Sequence, residues 1–163
     1  MSNELVINAT QNGCRIALLK EKNLVEFHYD EGESQFTVGD IYLGTVKKVV
    51  QGLNAAFIDI GYEKDAFLHY LDLGPQVRSL NKFTKLALNN KDAVNKLSKF
   101  KLEPDIDKLG KINNVLSKNH QVLVQVVKEP ISTKGPRLSC ELSLAGRYLV
   151  LVPFSNAVSV SKN

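Results

Sequence analysis

The run Leu53-Asn54-Ala55-Ala56-Phe57-Ile58-Asp59-Ile60-Gly61, followed closely by Ala66-Phe67-Leu68-His69, decides the fold. Side chains on a strand alternate between its two faces. In the first run Ala56, Ile58 and Ile60 make one face, which must be core, and Ala55, Phe57 and Asp59 make the other. An aromatic ring that shares a face with a carboxylate stands near water. In the second run Ala66 and Leu68 fall on one side, and Phe67 and His69 on the other. Just upstream, residues 43–50 read as a partner strand with Gln51-Gly52 as the turn. Two rings then stand on the outer surface of a small sheet, flanked by Lys47, Lys48 and Lys64. Such a surface suits single-stranded nucleic acid, because every base has a face to stack and every link carries a phosphate.

Working toward the N-terminus, residues 5–10 alternate and lead into Asn12-Gly13, a strong hairpin signal since both turn positions need positive φ. Residues 14–20 return as the partner, Lys22-Asn23 turns again, and 24–29 make a third strand. Val25, Phe27 and Tyr29 share one of its faces. The opening is therefore expected to be an antiparallel meander, bounded by the acidic loop Asp30-Glu31-Gly32-Glu33-Ser34.

Toward the C-terminus, Asp72-Leu73-Gly74-Pro75 breaks the strand pattern. Residues 78–118 then carry ten Lys or Arg against four Asp or Glu, a local surplus larger than that of the whole chain. Ala93, Leu97 and Phe100 have helical spacing, as do Leu109, Ile112 and Leu116. Two helices are expected there, separated at Pro104-Asp105, with Asp105 capping the second. The segment reads as a basic insert in a β domain. It could extend a nucleic-acid surface or equally be a solvated helical pair. Strand character resumes over 121–128, a loop follows at 129–134, Gly135-Pro136 closes it, and 137–144 read as another strand. A short apolar run at 148–153 and an alternation at 158–161 follow. A strand starting in the last residues leads us to expect the front part of a longer protein.

The chain has 163 residues, 44% of them hydrophobic, and a net charge of +4. That allows one or two small packed domains and leans toward an anionic partner. No apolar run is long enough for a membrane helix, and the first residues lack the features of a secretory signal. Cys14 and Cys140 are neither a ligand-spaced pair nor a disulfide framework, so a reducing cytoplasm is expected. Asp59 and Asp65 have no third acid in view to hold a metal.

Five short strands with a long connection between the third and fourth is the plan of an OB-type barrel. Gly44-Thr45-Val46, the run 56–61 and Ala66-Phe67-Leu68-His69 resemble the RNA-binding domain first named for ribosomal protein S-one. The flanks narrow this. Ile7-Asn8-Ala9-Thr10, Ile41-Tyr42-Leu43-Gly44, residues 124–130, Thr133-Lys134-Gly135 and residues 143–150 resemble the bacterial ribonuclease E/G family. The likeness covers nearly all of the chain outside the insert.

The resemblance implies a mainly β fold with an α insert, in which an OB-type five-stranded barrel interrupts an incomplete ribonuclease H-like subdomain. Residues 1–36 and 145–163 would belong to that subdomain, and 37–144 to the barrel, with the insert at about 74–118. It implies that the full-length protein is an endoribonuclease. Such enzymes cut single-stranded RNA, prefer a 5′-monophosphate end, and act in RNA decay and ribosomal RNA maturation. Phe57 and Phe67 match the family's base-stacking aromatics, and Lys134 matches a lysine at its RNA channel. Lys47, Lys64 and His69 are expected beside them as RNA contacts. Gly146 and Val150 match part of the 5′-phosphate sensor, whose arginine and threonine are expected beyond Asn163. The metal-binding aspartates and the zinc-linking cysteines are expected there too. No catalytic residue or metal ligand is therefore assigned to this chain. Magnesium, zinc and a possible homo-oligomer are implied for the full-length protein, and cleavage by this chain alone is not expected. The rival reading is a non-catalytic RNA-binding factor or RNA chaperone with the same barrel.

Overall fold

A computed structural model of the chain describes residues 3–10, 13–30, 36–89 and 100–160. They divide into two compact units, Met1–Gln35 and Phe36–Asn163.

The first unit is the expected meander. Strands β1 (Asn3–Thr10), β2 (Gly13–Lys20) and β3 (Asn23–Asp30) pair antiparallel in that order. Leu5 lies opposite Leu18, and Ile7 opposite Ile16. The second turn sits at Glu21-Lys22, one residue earlier than the sequence indicated. Both residues have positive φ, 51° and 66°, as the favoured two-residue hairpin turn requires. A bulge opposite Leu18/Leu19 leaves Val25 as an extra, unpaired residue of β3 just after the turn. Leu5, Val6, Ile7, Phe27 and Tyr29 remain exposed.

The second unit is built on a closed barrel of β4 (Ile41–Val50), β5 (Ala55–Asp59), β6 (Ala66–His69), β7 (Gln121–Lys128) and β8 (Arg137–Ser139), in the order β4-β5-β6-β8-β7. All pairings are antiparallel except β6 with β8. This is the OB plan. Alternation fills its interior: Val46, Ala56, Ile58, Leu68, Val122, Val124, Val126 and Leu138 are fully buried. Ala55 is the exception to the facing read from sequence. It lies between Val50 and His69 on neighbouring strands and is fully buried despite sharing a face with Phe57. A methyl group between larger cross-strand neighbours is covered by them.

The connection from β6 to β7 departs from expectation in two places. A helix, α1 (Val77–Asn89), forms where none was assigned. Val77, Leu80 and Thr84 make its buried stripe at helical spacing. Thr84 hides its hydroxyl by donating it to the Leu80 carbonyl, 2.9 Å away. The helix expected over 93–100 lies, apart from Phe100, outside the described residues. The helix expected over 109–116 does not form. Only a short turn exists at Ile112–Asn114, and Leu109 is 93% exposed. Asn54 explains this. Its side chain accepts the Ile112 amide and donates to the Gly110 carbonyl, pinning the segment in an open path against the barrel. Gly110 is needed there, because an added Cβ would fall 2.0 Å from the Tyr70 hydroxyl oxygen. Ile112 and Leu116 still enter the core, so their apolar character reports burial and not helix.

The C-terminal part is less regular than its pattern. The strand expected over 137–144 ends at Ser139, where the chain turns onto Asp72. The Ser139 hydroxyl and the Cys140 amide both donate to the Asp72 carbonyl. Residues Leu144–Ala145 (β9) and Val150–Leu151 (β10) form a two-stranded hairpin. The alternation at 158–160 makes no strand; Val158 is 98% exposed and no partner strand adjoins it among the described residues. A period of two yields a strand only when a ladder is there to join.

Gln125 is the buried polar residue that ties the barrel to its flanks. Its amide nitrogen donates to the carbonyls of Gly39 and Ser143, and its oxygen accepts the Ser143 amide. Replacing it with leucine strands all three groups. Gln125→Leu is expected to cost about 1–3 kcal/mol, read as a lowered midpoint in urea unfolding.

Candidate nucleic-acid interface

Strand register brings the outward side chains into one row across the barrel. Lys48 lies opposite Phe57, Phe57 opposite Phe67, Phe67 opposite Arg137, and Arg137 opposite Lys128. The row has two rings at its centre and cations toward both ends. Phe57 and Phe67 are half-buried and meet edge to face, with centroids 5.9 Å apart. His69, two residues on, stacks loosely beside Phe67 at 6.4 Å and 29° between planes. Its Nδ1 accepts the Leu71 amide, which leaves the ring proton of the neutral form on Nε2, the atom away from the backbone. The outward placement of both rings agrees with the alternation read from sequence.

A groove of about 770 Å³ runs over this row. Its far wall is the loop between β7 and β8, a tight turn in which Ile131 and Lys134 exchange backbone hydrogen bonds. Gly135 allows that loop to lie against the barrel, since an added Cβ would fall 2.2 Å from the Asp65 carbonyl. Lys64 spans the groove's edge, pairing with Glu63 at 3.1 Å and donating to the Ser132 carbonyl. Lys134 lines the groove and is exposed. The Lys64 charge is thus partly committed to the loop. No carboxylate among the described residues lies within ion-pair distance of Lys48, Lys128 or Lys134.

Lys47 has a different task. The β4–β5 register shifts between Val46 and Lys48, so Lys47 is the extra residue of a bulge. Its ammonium bridges Asp59 at 3.3 Å and Asp65 at 2.8 Å. Hydrogen bonds donated to these carboxylates, Asp65 first, raise the Lys47 pKa. The Gly61 amide and then Lys47 hold the Asp59 carboxyl below its ordinary range. One positive charge thereby offsets part of the charge of the two carboxylates beside the groove. Arg137 is likewise paired, its guanidinium donating to both oxygens of Asp72 at 3.0 and 3.1 Å. It is a flat, held platform more than a free charge.

Known proteins match this chain closely. Ribonuclease G of Haemophilus influenzae is 35% identical over 159 residues, covering 98% of this chain and 28% of that protein. A ribonuclease E/G-like protein of Porphyra purpurea is 36% identical over 166 residues, 99% of this chain and 26% of its own length. Ribonuclease G of Escherichia coli K12 is 33% identical over 162 residues, 99% of this chain and 29% of its own length. The chain is homologous to part of ribonuclease G. It therefore spans less than a third of the curated relatives it matches. No protein-family model matches it. The likeness to the ribonuclease E/G family read from the strand motifs and their flanks is borne out by these relatives.

Gly146 and Val150 sit together in the β9–β10 hairpin. Val150 pairs with Ala145, the Gly146 amide donates to the Leu149 carbonyl at 2.7 Å, and Val150 is exposed. Among the described residues no three His, Cys, Asp or Glu side chains converge to hold a metal ion. The Asp59–Asp65 pair already carries the Lys47 ammonium between its oxygens. Burial pushes the Cys140 thiol up to about 12, so it is not poised as a thiolate ligand. These residues do not fit the magnesium or zinc implied for the full-length ribonucleases. No described helix is long and apolar enough to cross a membrane.

Lys128 and Arg137 are not singled out by the sequence, which marks Lys48 as a cation flanking the rings. Their signal is cross-strand register, which sequence spacing does not carry. A carboxyl whose pKa is lowered on folding contributes stability above its ordinary range and gives that up as pH falls through the depressed value. The Lys47 bridge is therefore expected to stay intact at neutral pH and open only under acid conditions. In carboxyl-carbon NMR titrations, Asp59 should titrate at higher pH in Lys47→Ala than in the parent, while still held below the ordinary value by the Gly61 amide.

Proposed function

We propose that the barrel binds single-stranded RNA across the row from Lys48 to Lys128, as the RNA-binding part of an endoribonuclease. The observation that carries this reading is the pair Phe57 and Phe67, opposite each other on the outer face beneath a groove with unpaired lysines. A hydrophobic core has no use for two rings on that side. Bases stack on the rings, and Lys48, Lys128 and Lys134 neutralise phosphates. His69 presents Nε2–H as a hydrogen-bond donor to a base edge or a sugar. Two carboxylates line the groove: Asp65 is held by Lys47, which limits its repulsion of the RNA backbone, and Glu129 is outnumbered there by Lys48, Lys128 and Lys134.

The names of the relatives support placing this binding in RNA processing. In our reading the full-length protein is a cytoplasmic endoribonuclease that prefers a 5′-monophosphate end and acts in RNA decay and ribosomal RNA maturation. Magnesium, zinc and any homo-oligomer belong to that full-length protein. The hairpin bearing Gly146 and Val150 contributes part of its 5′-phosphate sensor. The exposed apolar side chains of the β1–β3 meander support reading it as part of a larger, ribonuclease H-like sheet.

The test is binding of oligouridine to the 163-residue chain. Truncating each ring in turn, Phe57→Ala and Phe67→Ala, should cost about 1–3 kcal/mol of affinity, with circular dichroism unchanged. Affinity should also fall steeply as salt rises. A folded double variant that binds oligouridine as well as the parent overturns the stacking role.

A further inference from the structure

The ladder between β4 and β7 does not end where the named strands end. The Val46 amide donates to the His120 carbonyl, and the Asn119 amide donates to the Val46 carbonyl, both at 2.8 Å. Beyond that point the two chains part. The segment before β7 folds into a tight turn in which the Ser117 hydroxyl and His120 Nε2 lie 3.0 Å apart. On the other side the bulge at Lys47 adds a residue to β4 and bends it away. A second groove, of about 500 Å³, opens between them, with Lys48, Gln51, Asn113, Ser117 and Lys118 in its lining.

Three features make this more than a gap. Lys48 lines both grooves, so the second continues the first at one end of the aromatic row. Lys118 and Lys48 have no carboxylate within ion-pair distance among the described residues, and Lys47, the other lysine there, is the one that offsets Asp59 and Asp65. The lining has no aromatic side chain and no carboxylate. Beside Val49 and Leu116 it offers cations, amides and a hydroxyl, which suit phosphate and sugar and give a base no ring to stack on.

We infer that this second groove is a backbone subsite, which takes the sugar-phosphate chain of the same RNA strand after it leaves the Phe57–Phe67 row past Lys48. The inference rests on the RNA reading above and adds a path to it: bases are gripped on the row, and phosphates alone are gripped beyond it. Strand length then matters. A short oligomer fills the row only, and a longer one reaches Lys118.

The experiment compares oligouridines of about four and about ten nucleotides, lengths within the range one such barrel covers. Each is titrated against the parent chain, Lys118→Ala and Asn113→Ala at several salt concentrations. For the longer probe, Lys118→Ala should bind more weakly and its log-log salt slope should shrink by about 0.7, the value for one phosphate contact on a single strand. Asn113→Ala should weaken the longer probe with the salt slope kept. The shorter probe should bind all three proteins alike. Equal binding of the longer probe by parent and both variants overturns the subsite, as does equal weakening of both probes by Lys118→Ala. Failure of the parent to bind either probe overturns the RNA reading itself, which keeps the two failures apart.

Discussion

The barrel closes on Asp72. Strands β6 and β8 share a single register pair, Phe67 with Arg137, which is little ladder for a parallel seam. The Phe67 amide donates to the Pro136 carbonyl at 2.8 Å, and Asp72 adds further ties. Its carbonyl accepts the Ser139 hydroxyl and the Cys140 amide, and its carboxylate holds the Arg137 guanidinium at two points. Charge-assisted bidentate pairs of this kind fix geometry as well as contribute energy. With the seam held, Arg137 is set beside Phe67, and the row of outward side chains becomes continuous. Without it the two rings would lie on a sheet edge with no far wall.

The bulge at Lys47 has a comparable reach. One added residue puts two consecutive lysines on the outside of β4 and divides their work. Lys47 turns to the carboxylates of Asp59 and Asp65, and Lys48 is left free between two grooves. A regular strand would send one of them inward, where an unpaired ammonium is costly. The same bend separates β4 from the turn at Ser117–His120. Sheet irregularity here shapes the surface. Bulges often have this effect beside functional sites.

Loop packing sets the other wall. Gly135 lets the β7–β8 loop rest on the Asp65 carbonyl, and Lys64 clamps that loop through Ser132. Lys134 is thereby carried to the aromatic row from a part of the chain far from it in sequence. Across the barrel, Asn54 holds the 110–112 segment open, so Ile112 and Leu116 plug the core without a helix. In both places a polar or glycine residue fixes a path that apolar spacing alone would misdescribe.

The sequence by itself determined which side of each strand is core, because alternation is a local property of extended backbone. Ala56, Ile58, Ala66 and Leu68 against Phe57 and Phe67 were legible from nine and four consecutive residues, and so were the three strands of the meander. The strand motifs and their flanks also carried the likeness to the ribonucleases. What tertiary structure alone decided was adjacency. Lys48, Arg137 and Lys128 join the row through register between strands, Phe67 with Arg137 across the longest stretch of chain, and Lys47 leaves it through a bulge. The missing helix at 109–116, the unforeseen α1 and the unpaired alternation at 158–160 have the same cause. Periodicity shows which side of an element is apolar. Whether the element forms depends on partners such as Asn54, a neighbouring core surface, or an open ladder.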